Sequence, residues 1–140
     1  MKVRDAMATD VRTVSSDSSI AEAARVMRDA GTGFLPVVDD ARPVGAVTDR
    51  DIVVRFVAEG GADAKGTPVS EVMTSKVSTI GPDDDLSAAG EAMRDKEIRR
   101  LIVVDEAAAV VGVLSHGALV QATDGEGAGR QATLGVTEGA

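Results

Sequence analysis

An internal duplication constrains the fold of this sequence more than any other feature. Three segments of the first half return in the second half at an offset of about 66 residues, and a fourth returns at about 67. The matched segments are residues 3–7 with 69–73, 27–29 with 93–95, 35–39 with 101–105, and 45–48 with 112–115. Because the similarity extends along the whole half, we expect two copies of one structural unit.

The hydrophobic period changes in the same order in each half. A short apolar segment at Val11 and Val14 precedes a helix that Ser18 and Ser19 can cap and that ends at Gly31. The runs 35–38 and 44–47, separated by residues 39–43, predict a hairpin, and a second helix is expected over about residues 50–59. The predicted fold class is α+β, with two β-α-β-β-α repeats packed about a pseudo-twofold axis, since a half of roughly 60 residues buries little surface alone.

The domain boundaries follow from composition. We predict repeat 1 at residues 1–59, a linker at 60–68, repeat 2 at 69–122 and a tail at 123–140. The linker begins with two glycines and stops at Pro68, which breaks regular structure. The last helix of repeat 2 is expected near residues 117–122, and the glycine-rich tail is expected to be disordered because it has few large apolar side chains.

Composition and charge exclude several functional classes. With no cysteine and one histidine, the sequence offers no thiolate chemistry and argues against a Ser-His-Asp triad or a histidine-rich metal site. A net charge of −8 argues against nucleic acid and anionic membranes as partners, and the sequence has no tyrosine or tryptophan for base stacking. No apolar run approaches the roughly 20 residues of a membrane span. Asp5 lies where a secretory signal would need an apolar core, so we see no export signal and expect a cytoplasmic location. Because the sequence offers no nucleophile–base pair and no metal cluster, we expect a non-enzymatic protein.

The motifs resemble those of the cystathionine-β-synthase (CBS) domain. They are the Met-terminated openings at Ala6-Met7 and Val72-Met73, the Leu-Pro-Val-Val-Asp strand at residues 35–39, and the Gly-x-x-Thr-x-x-Asp motif at residues 45–51. The resemblance covers about residues 3–122. Two such domains in tandem form a Bateman module, and the sequence is similar to small stand-alone bacterial CBS-pair proteins.

The resemblance implies a ligand site. Many members of the family bind AMP, ADP, ATP or S-adenosyl compounds in a cleft between two sheets. Asp51 would accept hydrogen bonds from the ribose hydroxyls, Thr48 would contact ribose or phosphate, and the backbone at Ser78 would meet the base. The alternative is that Thr48 and Asp51 only cap the following helix, because both residue types are favoured at helix starts.

The second copy departs from this pattern. It keeps the hydroxyl as Ser115, but Ala118 stands where Asp51 stands in the first copy and cannot hold a ribose diol. We therefore expect one competent site and one degenerate site. Arg50, Arg99 and Arg100 are the candidate phosphate contacts, although the last two can also be read as solvated charges at a strand entrance.

Other polar and sulfur-containing residues receive a structural interpretation. His116 is expected at the surface, without a catalytic partner. The acidic run at residues 83–85 is explained by the dipole of the helix that follows it. The methionines at positions 7, 27, 73 and 93 repeat with the core pattern and are expected to pack there.

The predicted function is that of a regulatory sensor that binds an adenine nucleotide, requires no cofactor, forms a homodimer through its helices and acts on an unidentified protein target. The alternative is a CBS pair that has lost its ligands and serves as a dimerisation or interaction protein. Regulation by a ligand requires that the ligand bind one arrangement of the protein more tightly than another.

Overall fold

The computed structural model describes residues 1–126. Its helices and strands follow the β-α-β-β-α order twice, each time after a short 3₁₀ turn, Val3–Asp5 and Val69–Glu71. The α-helices are α1 (Ile20–Ala30), α2 (Asp49–Ile52), α3 (Leu86–Lys96) and α4 (His116–Glu126). The strands are β1 (Val14–Ser15), β2 (Phe34–Asp39), β3 (Arg42–Thr48), β4 (Thr79–Ile80), β5 (Arg100–Val104) and β6 (Val110–Ser115).

The strands form two three-stranded sheets, ordered β1-β2-β3 and β4-β5-β6. In the first sheet Val14 pairs with Val37 in parallel, and in the second Ile80 pairs with Val103, so the sequence offset of the repeats is kept in the strand register. The α+β class and the predicted order of elements are confirmed.

The hairpin between β2 and β3 is tighter than predicted. Asp40 and Ala41 both have positive φ, at 52° and 67°, which is the backbone of a two-residue type I′ turn. The strands therefore extend to Asp39 and Arg42, and the turn predicted over residues 39–43 is too long. This turn matches the right-handed twist of the strands that it joins.

Helix α1 illustrates how local sequence sets an element. The Ser19 hydroxyl accepts a hydrogen bond from the Glu22 backbone N–H at 3.0 Å, and Gly31 ends the helix with a φ of 67°. Its buried residues, Ile20, Ala23 and Met27, lie on one face, as the helical spacing predicted. This face packs against the first sheet.

The two helices that follow β3 and β6 differ from expectation. After four α-helical residues, α2 continues as a π-helical turn, Val53–Val57, which ends two residues before the predicted end at residue 59. Helix α4 reaches Glu126, beyond the predicted end at residue 122. The first four residues of the predicted tail are therefore helical, and the rest of that prediction lies outside the described residues.

The chain divides into two compact units that differ from the two repeats. The first unit contains residues 11–77 and 108–110; the second contains residues 1–10 and 78–107 and the described residues from 111 onward. Each unit therefore holds the β-α-β-β-α elements of one repeat and the opening segment of the other. We define the first opening segment as residues 3–8 and the second as residues 69–74.

Both opening segments are part of a hydrophobic core. In the second opening segment, Val69 is fully buried and Val72 is 3% exposed within the cluster that contains α1, β2 and β3 side chains. In the first, Val3 is fully buried among side chains of α3, β5 and β6. Burying a valine contributes about 1.5–3 kcal/mol, so these short segments stabilise the unit that they enter.

A glycine in β3 and one in β6 make room for these segments. A Cβ atom built on Gly45 would lie 2.8 Å from the Thr74 carbonyl oxygen and 2.7 Å from Met73 Sδ. On Gly112 it would lie 2.8 Å from the Ala8 carbonyl oxygen. Backbone hydrogen bonds join the same places, for example from the Thr74 N–H to the Ala46 carbonyl at 2.8 Å. The glycine of the motif thus leaves the space in which the opening segment packs.

We predict that Gly45→Ala and Gly112→Ala each lower the free energy of unfolding by about 1–3 kcal/mol, because the backbone of the opening segment must move. Urea denaturation measures the change. Gly90→Ala is the control: its Cβ would only meet Leu119 methyl groups at 3.8 and 3.9 Å, and alanine favours the helix. Equal stability of Gly45→Ala and the wild type would refute this account of the motif.

The acidic run before α3 has a role that the sequence did not predict. Arg4 Nη2 lies 2.7 Å from Asp83 Oδ1, and its Nε donates to the same oxygen at 2.9 Å. Asp84 accepts a hydrogen bond from the Gly81 backbone N–H, and Asp85 occupies the N-cap without a side-chain cap. The helix dipole alone is therefore an incomplete explanation, because Asp83 pairs with the first opening segment.

The Arg4–Asp83 pair predicts a pH dependence. The hydrogen bond from Arg4 holds the pKa of Asp83 below its usual value. The pair therefore stabilises the fold above the unfolded-state pKa of about 3.9, and this contribution is lost as pH falls through the folded-state pKa. We expect Asp83→Asn to lower the melting temperature slightly at pH 7 and to match the wild type in strong acid. Asp17→Asn is the control, because it removes an equal charge at the counterpart position in repeat 1.

Candidate functional site

Thr48 and Asp51 lie where β3 passes into α2. The Thr48 hydroxyl accepts a hydrogen bond from the Asp51 backbone N–H, and Asp51 Oδ2 accepts one from the Thr48 backbone N–H, both at 3.0 Å. This reciprocal arrangement is a capping box. The capping role left open by the sequence is thus confirmed, and it also fixes the rotamers of both candidate ligand-binding side chains.

The capping box leaves part of each side chain available. The second carboxylate oxygen of Asp51, Oδ1, faces Arg55 Nε at 3.8 Å, and the Asp51 side chain is 13% exposed. Thr48 keeps its hydroxyl hydrogen as a donor, because its oxygen is the acceptor in the capping box. A donor and a charged acceptor therefore remain side by side at the start of α2.

Arg55 was missed by the sequence analysis. Its Nη1 donates hydrogen bonds to the backbone carbonyls of Val72 and Met73, each at 3.3 Å, while its Nε faces Asp51. The spacing of four residues between Asp51 and Arg55 on one helix was a signal that could have found the pair. The contact with the second opening segment has no local sequence signal.

The counterpart in repeat 2 keeps half of the capping box. Ser115 Oγ accepts a hydrogen bond from the Ala118 backbone N–H at 3.1 Å. Ala118 has no carboxylate to return a hydrogen bond, and it packs against the core of the second unit. The helix start is therefore retained, and the charged acceptor is absent at this position.

The candidate basic residues lie in different places. Arg50 is exposed on the first turn of α2, in the same unit as Thr48 and Asp51. Arg99 is exposed at the entrance to β5, and Arg100, the first residue of β5, is half-buried. Arg99 and Arg100 belong to the second unit, together with Ser78 and Ser115.

Ser78 precedes β4 and already makes two contacts. Its carbonyl accepts a hydrogen bond from the Ile102 backbone N–H at 3.0 Å, and its hydroxyl lies 3.4 Å from Lys96 Nζ. The carbonyl is thus used in pairing β4 with β5.

Arg99 and His116 form a neighbouring pair in the second unit. The His116 backbone N–H donates to the Arg99 carbonyl at 2.7 Å, as the Asp49 N–H donates to the Gly33 carbonyl at 3.0 Å in the first unit. The two side chains line a groove of about 770 Å³ beside α3 and α4. The same backbone hydrogen bond thus joins Gly33 and Asp49 in the first repeat and Arg99 and His116 in the second.

The expected surface position of His116 is met in part. The residue is half-buried, and its Nδ1 is buried without a hydrogen-bond partner in the described part of the chain. The backbone hydrogen bond to Arg99 joins the start of α4 to the entrance of β5, beside the groove that the His116 side chain lines.

Among residues 1–126, no group of three or more His, Cys, Asp or Glu side chains could hold a metal ion. Over the same part of the chain, no helix has both the length and the apolar character needed to cross a bilayer.

Comparisons with known proteins find the same duplication. A family model for the CBS domain matches residues 3–58 and again residues 69–125. The chain is 40% identical over 132 residues to the CBS domain-containing protein YhcV of Bacillus subtilis, a match that covers 94% of this chain and 92% of that protein. It is also 36% identical over 106 residues to the inosine-5'-monophosphate dehydrogenase of Korarchaeum cryptofilum, of which the match covers 21%. Such enzyme relatives share only a CBS part of a longer chain.

Solved structures of CBS pairs have the same fold. The CBS domain pair of protein MJ0100, in complex with 5'-methylthioadenosine and S-adenosyl-L-methionine, matches with a TM-score of 0.78 and 27% identity, covering 90% of this chain and 98% of that one. CBSX2 in complex with AMP matches with a TM-score of 0.73 and 27% identity, covering 87% and 95% of the two chains. Both of these neighbours carry adenosine-containing ligands.

Proposed function

Because the chain belongs to the CBS domain family and carries two copies of the domain, we propose that it is a regulatory module that binds an adenosine-containing ligand through Thr48 and Asp51. The observation that carries the proposal is the capping box. It holds Asp51 in one rotamer with Oδ1 outside the box, so a ribose diol can donate to a carboxylate that is already positioned. The complexes of CBS-pair neighbours with AMP and with S-adenosyl-L-methionine support this class of ligand.

The role of the other candidate residues follows from their chemistry. Arg50, Arg99 and Arg100 are proposed phosphate contacts, because a guanidinium group can donate two parallel hydrogen bonds to phosphate oxygens. Ser78 and Ser115 are proposed polar contacts. We propose no catalytic role and no required cofactor: the enzyme relatives extend well beyond the matched region, so their names support no catalytic assignment for this chain.

Calorimetric titration with AMP, ADP, ATP and S-adenosyl-L-methionine tests this function. Asp51→Asn is the informative variant, because asparagine still accepts the capping hydrogen bond from Thr48 and loses the charge that the diol would meet. Losing hydrogen bonds to a charged group typically weakens binding by about ten- to a hundred-fold.

Asp49→Asn is the matched control, since it removes an equal charge from an exposed residue two positions away, which lies outside the capping box. We expect it to bind as the wild type does. Tight binding by Asp51→Asn would reject the site, and the absence of binding to all four ligands in the wild type would reject the proposed function.

An interaction role is supported by a separate observation. Val53, Val54 and Val57 are 57%, 47% and 57% exposed on α2 and its π-helical extension, whose other side packs Ile52 and Phe56 against the core. We propose that these valines contribute to a homodimer, because three large apolar side chains grouped on one exposed surface favour association. If no ligand binds, this surface supports the alternative of a CBS pair that serves as an interaction protein.

Light scattering after size exclusion tests the homodimer. We expect a dimer for the wild type and a shift toward monomer for Val54→Glu and Val57→Glu, because a charge in an apolar contact is left unpaired. Gln121→Glu, at the counterpart of Val54 in repeat 2, is the control and should remain dimeric. A monomeric wild type at high concentration would contradict the proposal, as would a Val54→Glu variant that stays dimeric.

A further inference from the structure

Arg55 connects two parts of the first unit that have different roles. Its Nε lies 3.8 Å from Oδ1 of Asp51, and its Nη1 donates to the carbonyls of Val72 and Met73, each at 3.3 Å. One guanidinium group thus faces the carboxylate proposed to hold ribose and, at the same time, two consecutive carbonyls of the second opening segment.

The opening segment held by Arg55 also contacts the strand that leads into the site. Met73 Sδ and the Thr74 carbonyl lie against Gly45, and Ala46 and Thr74 exchange backbone hydrogen bonds at 2.9 and 2.8 Å. Three residues after Gly45, the same strand ends at Thr48. A displacement of this segment is therefore opposed from two sides, by β3 and by Arg55.

The second repeat lacks both members of the pair. Ala118 stands at the counterpart of Asp51 and Ala122 at that of Arg55, and both pack against the core of the second unit. The first opening segment is instead held by Arg4, which pairs with the exposed Asp83. The carboxylate and the arginine are thus present together in one copy and absent together in the other, which indicates that they act as a pair.

We propose that Arg55 is a positioning residue that couples occupancy of Asp51 to the docking of the second opening segment. This inference rests on the proposed function for the identity of the ligand. A ligand that covers Asp51 displaces water, and the lower local dielectric strengthens the attraction between the carboxylate and Arg55. Arg55, whose side chain is 53% exposed without ligand, is then held where it donates to Val72 and Met73.

The coupling is reciprocal. A ligand that stabilises the docked segment must bind more tightly when the segment is docked. Arg55 belongs to the first repeat, whereas the opening segment that it contacts belongs to the second repeat in sequence. The segment is therefore the part of the protein that would transmit ligand binding at Asp51 to the second repeat.

Amide hydrogen exchange measures the coupling without any ligand. The reporters are the Met73 and Thr74 amides, which donate to Val69 and Ala46 at 2.9 and 2.8 Å. We expect Asp51→Asn to accelerate their exchange about two- to five-fold, the range for a partly exposed ion pair, and to have no such effect in an Arg55→Ala background. Equal acceleration in both backgrounds would overturn the proposal.

The same amide exchange measurement in the presence of AMP is the second part of the experiment. In the wild type, AMP should slow exchange at Met73 and Thr74 beyond any change at Ala8, whose amide donates to Val113 in the second unit, which lacks the pair. Arg55→Ala should still bind AMP but lose this protection. Arg55→Lys should restore it in part, because an ammonium group keeps the charge without the planar fork of donors. Arg28→Ala removes an exposed positive charge elsewhere in the first unit and should behave as the wild type does.

The two proposals fail separately. Absence of AMP binding to the wild type would reject adenosine binding, while the ligand-free comparison of Asp51→Asn in the two backgrounds would still decide on Arg55. Equal protection of Met73 and Thr74 by AMP in the wild type and in Arg55→Ala would overturn the coupling and leave the ligand site intact.

Discussion

The insertion of each opening segment into the core built on the other repeat is the contact on which the rest of the structure depends. Val3 and Val69 are fully buried there, among side chains from a repeat to which they do not belong. A half of about 60 residues buries a small fraction of its surface and is marginally stable alone, and here each core is completed by residues from a distant part of the sequence. The two repeats therefore depend on each other for their cores, and the compact units do not coincide with the repeats.

This exchange explains the first part of the motif that ends β3. Gly45 is needed because the Thr74 carbonyl lies where a side chain would stand, and Gly112 is needed in the same way against Ala8. The last part of the motif serves a different purpose, since Thr48 and Asp51 cap α2. A single short motif therefore combines docking of a segment, the start of a helix and the position of a carboxylate. The proposed ligand site depends on all three.

The two copies differ in the backbone of their second helices and of the segments between their last two strands, but they share the elements that surround the site. Strand register, the 3₁₀ turns and the hydroxyl cap are the same in both. The side chains at two equivalent positions differ in charge: the first copy has Asp51 and Arg55, and the second has Ala118 and Ala122. The charged pair proposed to bind and sense the ligand is therefore present in the first copy alone among the described residues.

The sequence by itself determined the order of elements, the α+β class and the asymmetry between Asp51 and Ala118, because periodicity, capping residues and motif spacing are local properties. It could not determine the two-residue turn at Asp40 and Ala41 or the π-helical turn after Ile52, where neighbouring strands and core contacts select the backbone. The tertiary structure alone decided which core each opening segment enters, the pairing of Arg4 with Asp83, the burial of His116 Nδ1 and the contacts of Arg55 with Val72 and Met73. Most of these join residues far apart in the chain, and their partners are fixed by how the segments pack rather than by any spacing along the sequence.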